Sequence, residues 1–223
     1  DALIGELGPL LLPPVLHPVI AGKARLVLCP HRTLHLFAFH AVALNGNHLG
    51  VTHAIRYTPS LSHLLVPWHG NTQGGVLAVG VARFDDPVLS DLPHAEDEAI
   101  TIAALHGPQG HALTTASRAQ FLSAPLESLR CLHLATHGSS VLAGAAVDDP
   151  LACGMHLRDG MLSGWDLLDL RLPAEVVVLA TCHSAQRAIA GRGLEQLPGD
   201  DLFGLPPGFK HRIHLTHQLV IHV

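Results

Sequence analysis

The run Glu175-Val-Val-Val-Leu-Ala180 leaves this chain few folds to choose from. Valine is branched at Cβ and packs best on a pleated strand. An apolar run without polar alternation needs cover on both faces of its sheet. Val76-Leu-Ala-Val-Gly-Val81, Arg130-Cys-Leu-His-Leu-Ala135 and Ala24-Arg-Leu-Val-Leu-Cys29 read the same way, the last stopped by Pro30. Helical patterns lie between these runs. His94 to His106 carries Glu96, Asp97 and Glu98 where a first turn favours acids, and Ser117 to Leu122 and Ser163 to Leu168 predict shorter helices. Strands alternating with helices predict an α/β fold with a mainly parallel central sheet.

Other segments are read with less regular signals. Residues 2–20 predict an apolar helical segment broken at Pro13-Pro14, and Leu34 to Phe39 predicts a strand or an extended loop. Ser60 is expected to cap a short helix through Leu65, and Trp165 to pack into the core.

Composition narrows the function. Apolar residues make up 48% of 223 and charged residues 14%, which suits a folded globular chain. The net charge of -5, with no dense basic run, argues against a nucleic-acid partner. Cys29, Cys131, Cys153 and Cys182 form no CxxC pair, so a reducing, cytoplasmic setting is expected rather than a disulfide framework. No signal peptide is visible. The apolar stretch from Leu7 to Ile20 contains Pro13, Pro14 and Pro18 and is too broken to span a membrane. The opening Asp1 suggests a piece of something longer. The 19 histidines are expected to be scattered surface residues. Neither Cys131-x-His133 nor His211-x-x-His214-x-x-His217 gives a four-ligand zinc spacing, so no metal or organic cofactor is implied. No GxSxG elbow of a serine hydrolase is present.

Two short motifs follow the strands. Ala-Thr-His-Gly at 135–138 and Thr-Cys-His at 181–183 each put a reactive side chain two residues past a strand end. In open α/β sheets the working residues gather beyond the carboxyl ends of the strands. If the two strands are neighbours, His137 and Cys182 emerge at one rim. A free thiol near pKa ~8.5 needs an adjacent base to become a thiolate at neutral pH, and an imidazole can supply it. Gly138, lacking a side chain, offers its N–H together with that of Cys182 as an oxyanion hole. Asp149, Asp159 and Asp200 are loop acids that offer groups for a substrate pocket.

These motifs resemble the CHAT domain, a caspase-like peptidase domain often found downstream of tetratricopeptide repeats. Arg25-Leu-Val-Leu-Cys-Pro30 with Leu34-His-Leu-Phe-Ala-Phe39 is similar to the family's entry segment. Tyr57-Thr-Pro-Ser-Leu-Ser62 is similar to its Tyr-x-Pro-Ser motif. Leu132-His-Leu-Ala-Thr-His-Gly138 and Val176-Val-Val-Leu-Ala-Thr-Cys182 resemble its His and Cys motifs. Asp149-Pro150-Leu151, Leu162-Ser163 and Gly199-Asp-Asp-Leu-Phe-Gly204 follow in the family's order. The resemblance implies a caspase-like three-layer sandwich over residues 1–205, a Cys182 nucleophile, a His137 base and peptide-bond cleavage. It also implies a protein or peptide substrate and tetratricopeptide repeats upstream in a longer chain. The alternative is a catalytically decayed domain acting as a regulatory or protein-interaction module.

Departures are local. His183-Ser184 follows the Cys, and Ala180 stands where related metacaspases carry an Asp. After Leu205 the family continues into a helix and a strand, whereas this chain reads Pro206-Pro-Gly. Residues 206–223 are therefore expected to be an atypical tail, with the last helix and strand of the domain missing.

Overall fold

The computed structural model describes residues 2–30, 34, 37–58, 60–65, 70–139, 153–181 and 219–222. The described residues divide into two compact units, one up to Leu61 and the other from Ser62 on.

The first unit holds α1 (Ala2–Leu11), α2 (His17–Ala21), β1 (Arg25–Leu28), β2 (Ala43–Leu44), β3 (Asn47–His48), α3 (Leu49–Thr52) and β4 (Ala54–Tyr57). The expected break falls at Pro13, ahead of a single 3-10 turn at Pro14–Leu16. β1 and β4 pair in parallel. Leu12, Val42, Leu44 and Leu49 form a small core, with Ile4, Ile20, Leu26, Phe37 and Ile55 packed against it. His53 is buried; its Nε2–H donates to the Ile20 carbonyl at 3.1 Å, and the Thr52 hydroxyl lies 2.7 Å from Nδ1. Of the segment Leu34 to Phe39, residues 35 and 36 lie outside the described residues; the Phe37 N–H donates to the Leu34 carbonyl at 3.1 Å, and a 3-10 turn follows at Phe39–Ala41. The Ser60 segment shortens to a 3-10 turn at Leu61–Leu64.

The second unit holds β5 (Gly75–Gly80), α4 (Ala95–Leu105), β6 (Gly110–Thr114), α5 (Arg118–Ser123), β7 (Leu129–Ala135), β8 (Gly138–Ser139), β9 (Gly154–Leu157), β10 (Gly160–Ser163), α6 (Gly164–Leu168), β11 (Val176–Ala180) and β12 (Leu219–His222). Five strands form one sheet in the order β12-β11-β7-β5-β6, every neighbouring pair parallel. A parallel sheet covered by helices is the α/β architecture expected from the apolar runs. At the edge, Leu219–His222 pairs in parallel with β11.

Alternation along the strands sorts the two faces. Leu77 and Val79, Leu132 and Leu134, and Val177 and Leu179 enter one core with Phe121, Met155, Leu162 and Leu167. Each fully buried leucine contributes roughly 1.5–3 kcal/mol by leaving water. The helices on this side are well terminated. Ser117 with Gln120 and Ser163 with Asp166 form capping boxes at α5 and α6. Trp165 departs from expectation. It is 54% exposed, because α6 spends its inward positions on Gly164 and Leu167.

The opposite face belongs to α4. Its buried stripe is only Ala95, Ala99 and Ala103, one residue every turn. Opposite it stand Gly80 and Gly110, where an added Cβ would lie 2.1 Å from the Ala95 carbonyl oxygen and 1.9 Å from that of Ala103. Small side chains on both partners let helix and sheet touch backbone to backbone. His133, 5% exposed, completes this contact, with Nε2 2.8 Å from Glu98 Oε1. Burial pushes its imidazole below the ordinary range, against the pull of the Glu98 carboxylate.

Two outcomes follow. Gly80→Ala or Gly110→Ala should destabilise the fold by about 2–3 kcal/mol in urea titrations, since backbone must move to admit the methyl. Gly5→Ala, where nothing lies within 4 Å of the new Cβ, should change stability by about 1 kcal/mol or less. The second concerns pH. The unfolded chain binds a proton on His133 near ~6.5 that the folded chain resists, so stability is complete above that pH and falls below it. The drop in urea midpoint between about pH 7.5 and about pH 5.5 should shrink in His133→Gln.

Candidate active site

The sheet register sets the ends of β7 and β11, which precede the two motifs, side by side. Ala135 of β7 stands opposite Ala180 of β11, and the Thr136 N–H donates to the Ala180 carbonyl at 3.4 Å. Both chains leave the sheet at one level, and Thr136 and Thr181 are both buried as they do so. His137 is the next residue on one side. Cys182, the next on the other, lies outside the described residues, as do Asp149 and Asp200.

His137 is half-buried and held by the loop that joins β5 to α4. Its Nε2 lies 2.8 Å from the Ser90 carbonyl oxygen and 3.5 Å from the Ser90 hydroxyl. A carbonyl only accepts, so Nε2 carries the proton. In the neutral imidazole the lone pair then sits on Nδ1, the nitrogen able to take a proton. The Phe84 ring packs on the imidazole, centroids 5.0 Å apart, and limits its rotation. The loop itself is closed at its neck, where the Leu92 N–H donates to Ala82, and the Val81 N–H ties it to the Ala135 carbonyl. Sequence reading missed Ser90 and Phe84, because neither has a local motif and Ser90 is 47 residues from its imidazole.

Gly138 begins β8, the edge of a three-stranded antiparallel sheet ordered β10-β9-β8. Gly138 faces Met155, and the flanking bond runs from the His156 N–H to the His137 carbonyl at 2.8 Å. That register makes Gly138 and Met155 a non-hydrogen-bonded pair, so the Gly138 N–H points away from β9. An N–H directed outward from an edge strand is what an oxyanion donor requires.

The same register sets His156 opposite His137, with side chains on one face. His156 is half-buried. Burial pushes its imidazole below the ordinary range, the neighbouring His137 pushes the same way, and Asp86 opposes both. The β9–β10 hairpin that presents His156 leaves no more in the sequence than the dipeptide Asp159-Gly160 at its turn. Asp159 is exposed. Its Oδ1 accepts the Arg118 N–H at the start of α5, 2.7 Å away, so the structure engages it as a helix cap.

The remaining thiols differ in character. Cys153 is buried, Cys29 is exposed, and burial pushes the Cys131 thiol up, away from the thiolate form. Cys131 and His133 share the α4 face of β7. Among the described residues no three His, Cys, Asp or Glu side chains converge to hold a metal ion. No single described helix is long and apolar enough to cross a membrane.

Comparison with known proteins adds a family. A model described as the CHAT domain matches residues 1–209. No curated protein matches the chain.

The paired imidazoles give a direct check. In His137→Gln the His156 titration midpoint, followed by NMR of its ring protons, should rise, because one of the two influences that depress it is gone. An unmoved midpoint would mean that the two rings do not face each other.

Proposed function

Because the chain belongs to the CHAT domain family, which is caspase-like and peptidase-related, we propose that it is a cysteine endopeptidase with Cys182 as nucleophile and His137 as general base. The observation that carries this reading is the parallel pairing of β7 with β11, with Ala135 opposite Ala180. It sets the strands that precede the His and Cys motifs side by side.

The chemistry follows from the groups involved. His137 Nδ1 takes the thiol proton, and the Cys182 thiolate attacks the peptide carbonyl. Negative charge gathers on the carbonyl oxygen, where the N–H groups of Gly138 and Cys182 receive it. The imidazolium then gives its proton to the departing amine, leaving an acyl-enzyme that water hydrolyses. Ser90 supports each step by holding Nε2–H, so the imidazole keeps one face toward the nucleophile as its charge changes. The substrate is a peptide or protein. Tetratricopeptide repeats upstream in a longer chain would present it, and a reducing, cytoplasmic setting suits the free thiol.

A thiol-directed peptide probe tests the reading in a Cys29→Ser background, which removes the exposed competing thiol. Mass spectrometry should find the label on Cys182, absent in Cys182→Ala and slowed about 100-fold or more in His137→Ala. Folded protein that takes no label would instead be a regulatory module that has kept the motifs without the activity.

A further inference from the structure

Among the described residues β6 pairs with β5 alone and so forms one edge of the five-stranded sheet. The Thr115 N–H donates to the Gly80 carbonyl at 3.1 Å. Backbone groups alternate in direction along a strand, so those of His111 and Leu113 also point to β5. Ala112 and Thr114 therefore direct N–H and C=O outward. Gly110 directs its C=O outward, while its N–H is held by the Gly107 carbonyl. Natural edges are blunted by a charge, a proline or a bulge. Gly110-His-Ala-Leu-Thr114 carries no lysine, arginine, acid or proline, and its register with β5 is unbroken. His111 and Ala112 are exposed.

The helix α4 adds a side wall to this edge. The Thr115 hydroxyl donates to Glu96 Oε1 at 3.1 Å, whereas Glu98 reaches His133 of β7, on the other side of β5. The Glu96 side of the helix thus faces β6. Ile100, one turn on, continues that side and is 51% exposed. Gly110 lies against Ala103 and Thr115 against Glu96, so α4 runs antiparallel to β6 and Ile100 falls level with Ala112. Gly110, Ala112 and Thr114 share the α4 face, since Leu113 packs on the core at the other.

We propose that this edge is a homodimer interface, with β6 pairing antiparallel to β6 of a second copy about a two-fold axis through Ala112. An isologous contact requires a patch that maps onto itself without clash or like charge. This patch meets that condition. The two Ala112 residues exchange N–H···O=C bonds, and each Thr114 N–H donates to the other copy's Gly110 carbonyl. Because α4 spans β5 and β6, the two helices lie roughly 10 Å apart, a packing distance at which Ile100 meets Ile100. Charge favours the same occupant. The acidic turn Glu96-Asp97-Glu98 of each helix lies beside the neutral Ala103-Ala104 of the other. A parallel arrangement would set the two acidic turns together, in a chain of net charge -5. An unrelated extended peptide would pair with β6 but leave Ile100 bare.

Light scattering of the full chain over a concentration series tests the interface. An edge strand and one helix side make a small contact, so the monomer–dimer midpoint should lie on the order of 100 μM. Well above it, the Ala112 and Thr114 amides should exchange about fivefold more slowly than in dilute protein when followed by NMR. Those of His111 and Leu113, already bonded to β5, should hold steady. Ile100→Lys alters an exposed position and should leave the circular dichroism spectrum unchanged. It should weaken association about tenfold or more, because two ammonium groups meet at the axis. Wild-type protein that stays monomeric at about 1 mM overturns the assignment, and a strand of another protein is then the partner left for this edge. A dimer that survives Ile100→Lys, or that leaves the Ala112 amide exchanging as fast as before, overturns it too.

Discussion

The parallel ladder between β7 and β11 is the constraint on which the rest of the site depends. It is a backbone interaction, set residue by residue from Val176 opposite Cys131 to Ala180 opposite Ala135. A slip of one residue would turn Leu132, Leu134, Val177 and Leu179 out of the core. Burial of those side chains therefore fixes the level at which His137 leaves the sheet. The chemistry beyond the strand ends inherits its geometry from hydrophobic packing below.

A second dependence runs through α4. Its alanine stripe against Gly80 and Gly110 brings helix backbone onto the sheet, and the loop before it carries Phe84 and Ser90 onto His137. The loop needs little structure of its own, because both its ends are clamped. One carbonyl oxygen and one aromatic face then suffice to orient the imidazole.

The framework of the sheet was legible for physical reasons. Val76–Val81, Arg130–Ala135 and Glu175–Ala180 are locally committed to strands by branching and hydrophobicity, and α4–α6 carry acids or caps at their first turns. The hairpin of β2 and β3 was equally legible, since Asn45 and Gly46 both adopt positive φ (52° and 83°), as a two-residue Asn-Gly turn requires. Trp165 is exposed on α6 because aromatic bulk alone does not decide which way a helix position faces. For β9, the buried Met155 and Leu157 flank a half-buried His156, a pattern too short to stand out in the sequence.

What the sequence determined by itself was the strands β1, β5, β7 and β11, the helices α4, α5 and α6, the parallel arrangement of the central sheet and the positions of His137 and Cys182 in family-like motifs, because these rest on local hydrophobic and capping patterns. What only the tertiary structure decided was which distant groups meet: Ser90 with the His137 imidazole, His156 across from it, and Asp159 on the α5 N-terminus. Those contacts join segments tens of residues apart. They exist because close packing leaves each side chain one place to go, and no local pattern in the chain encodes that outcome.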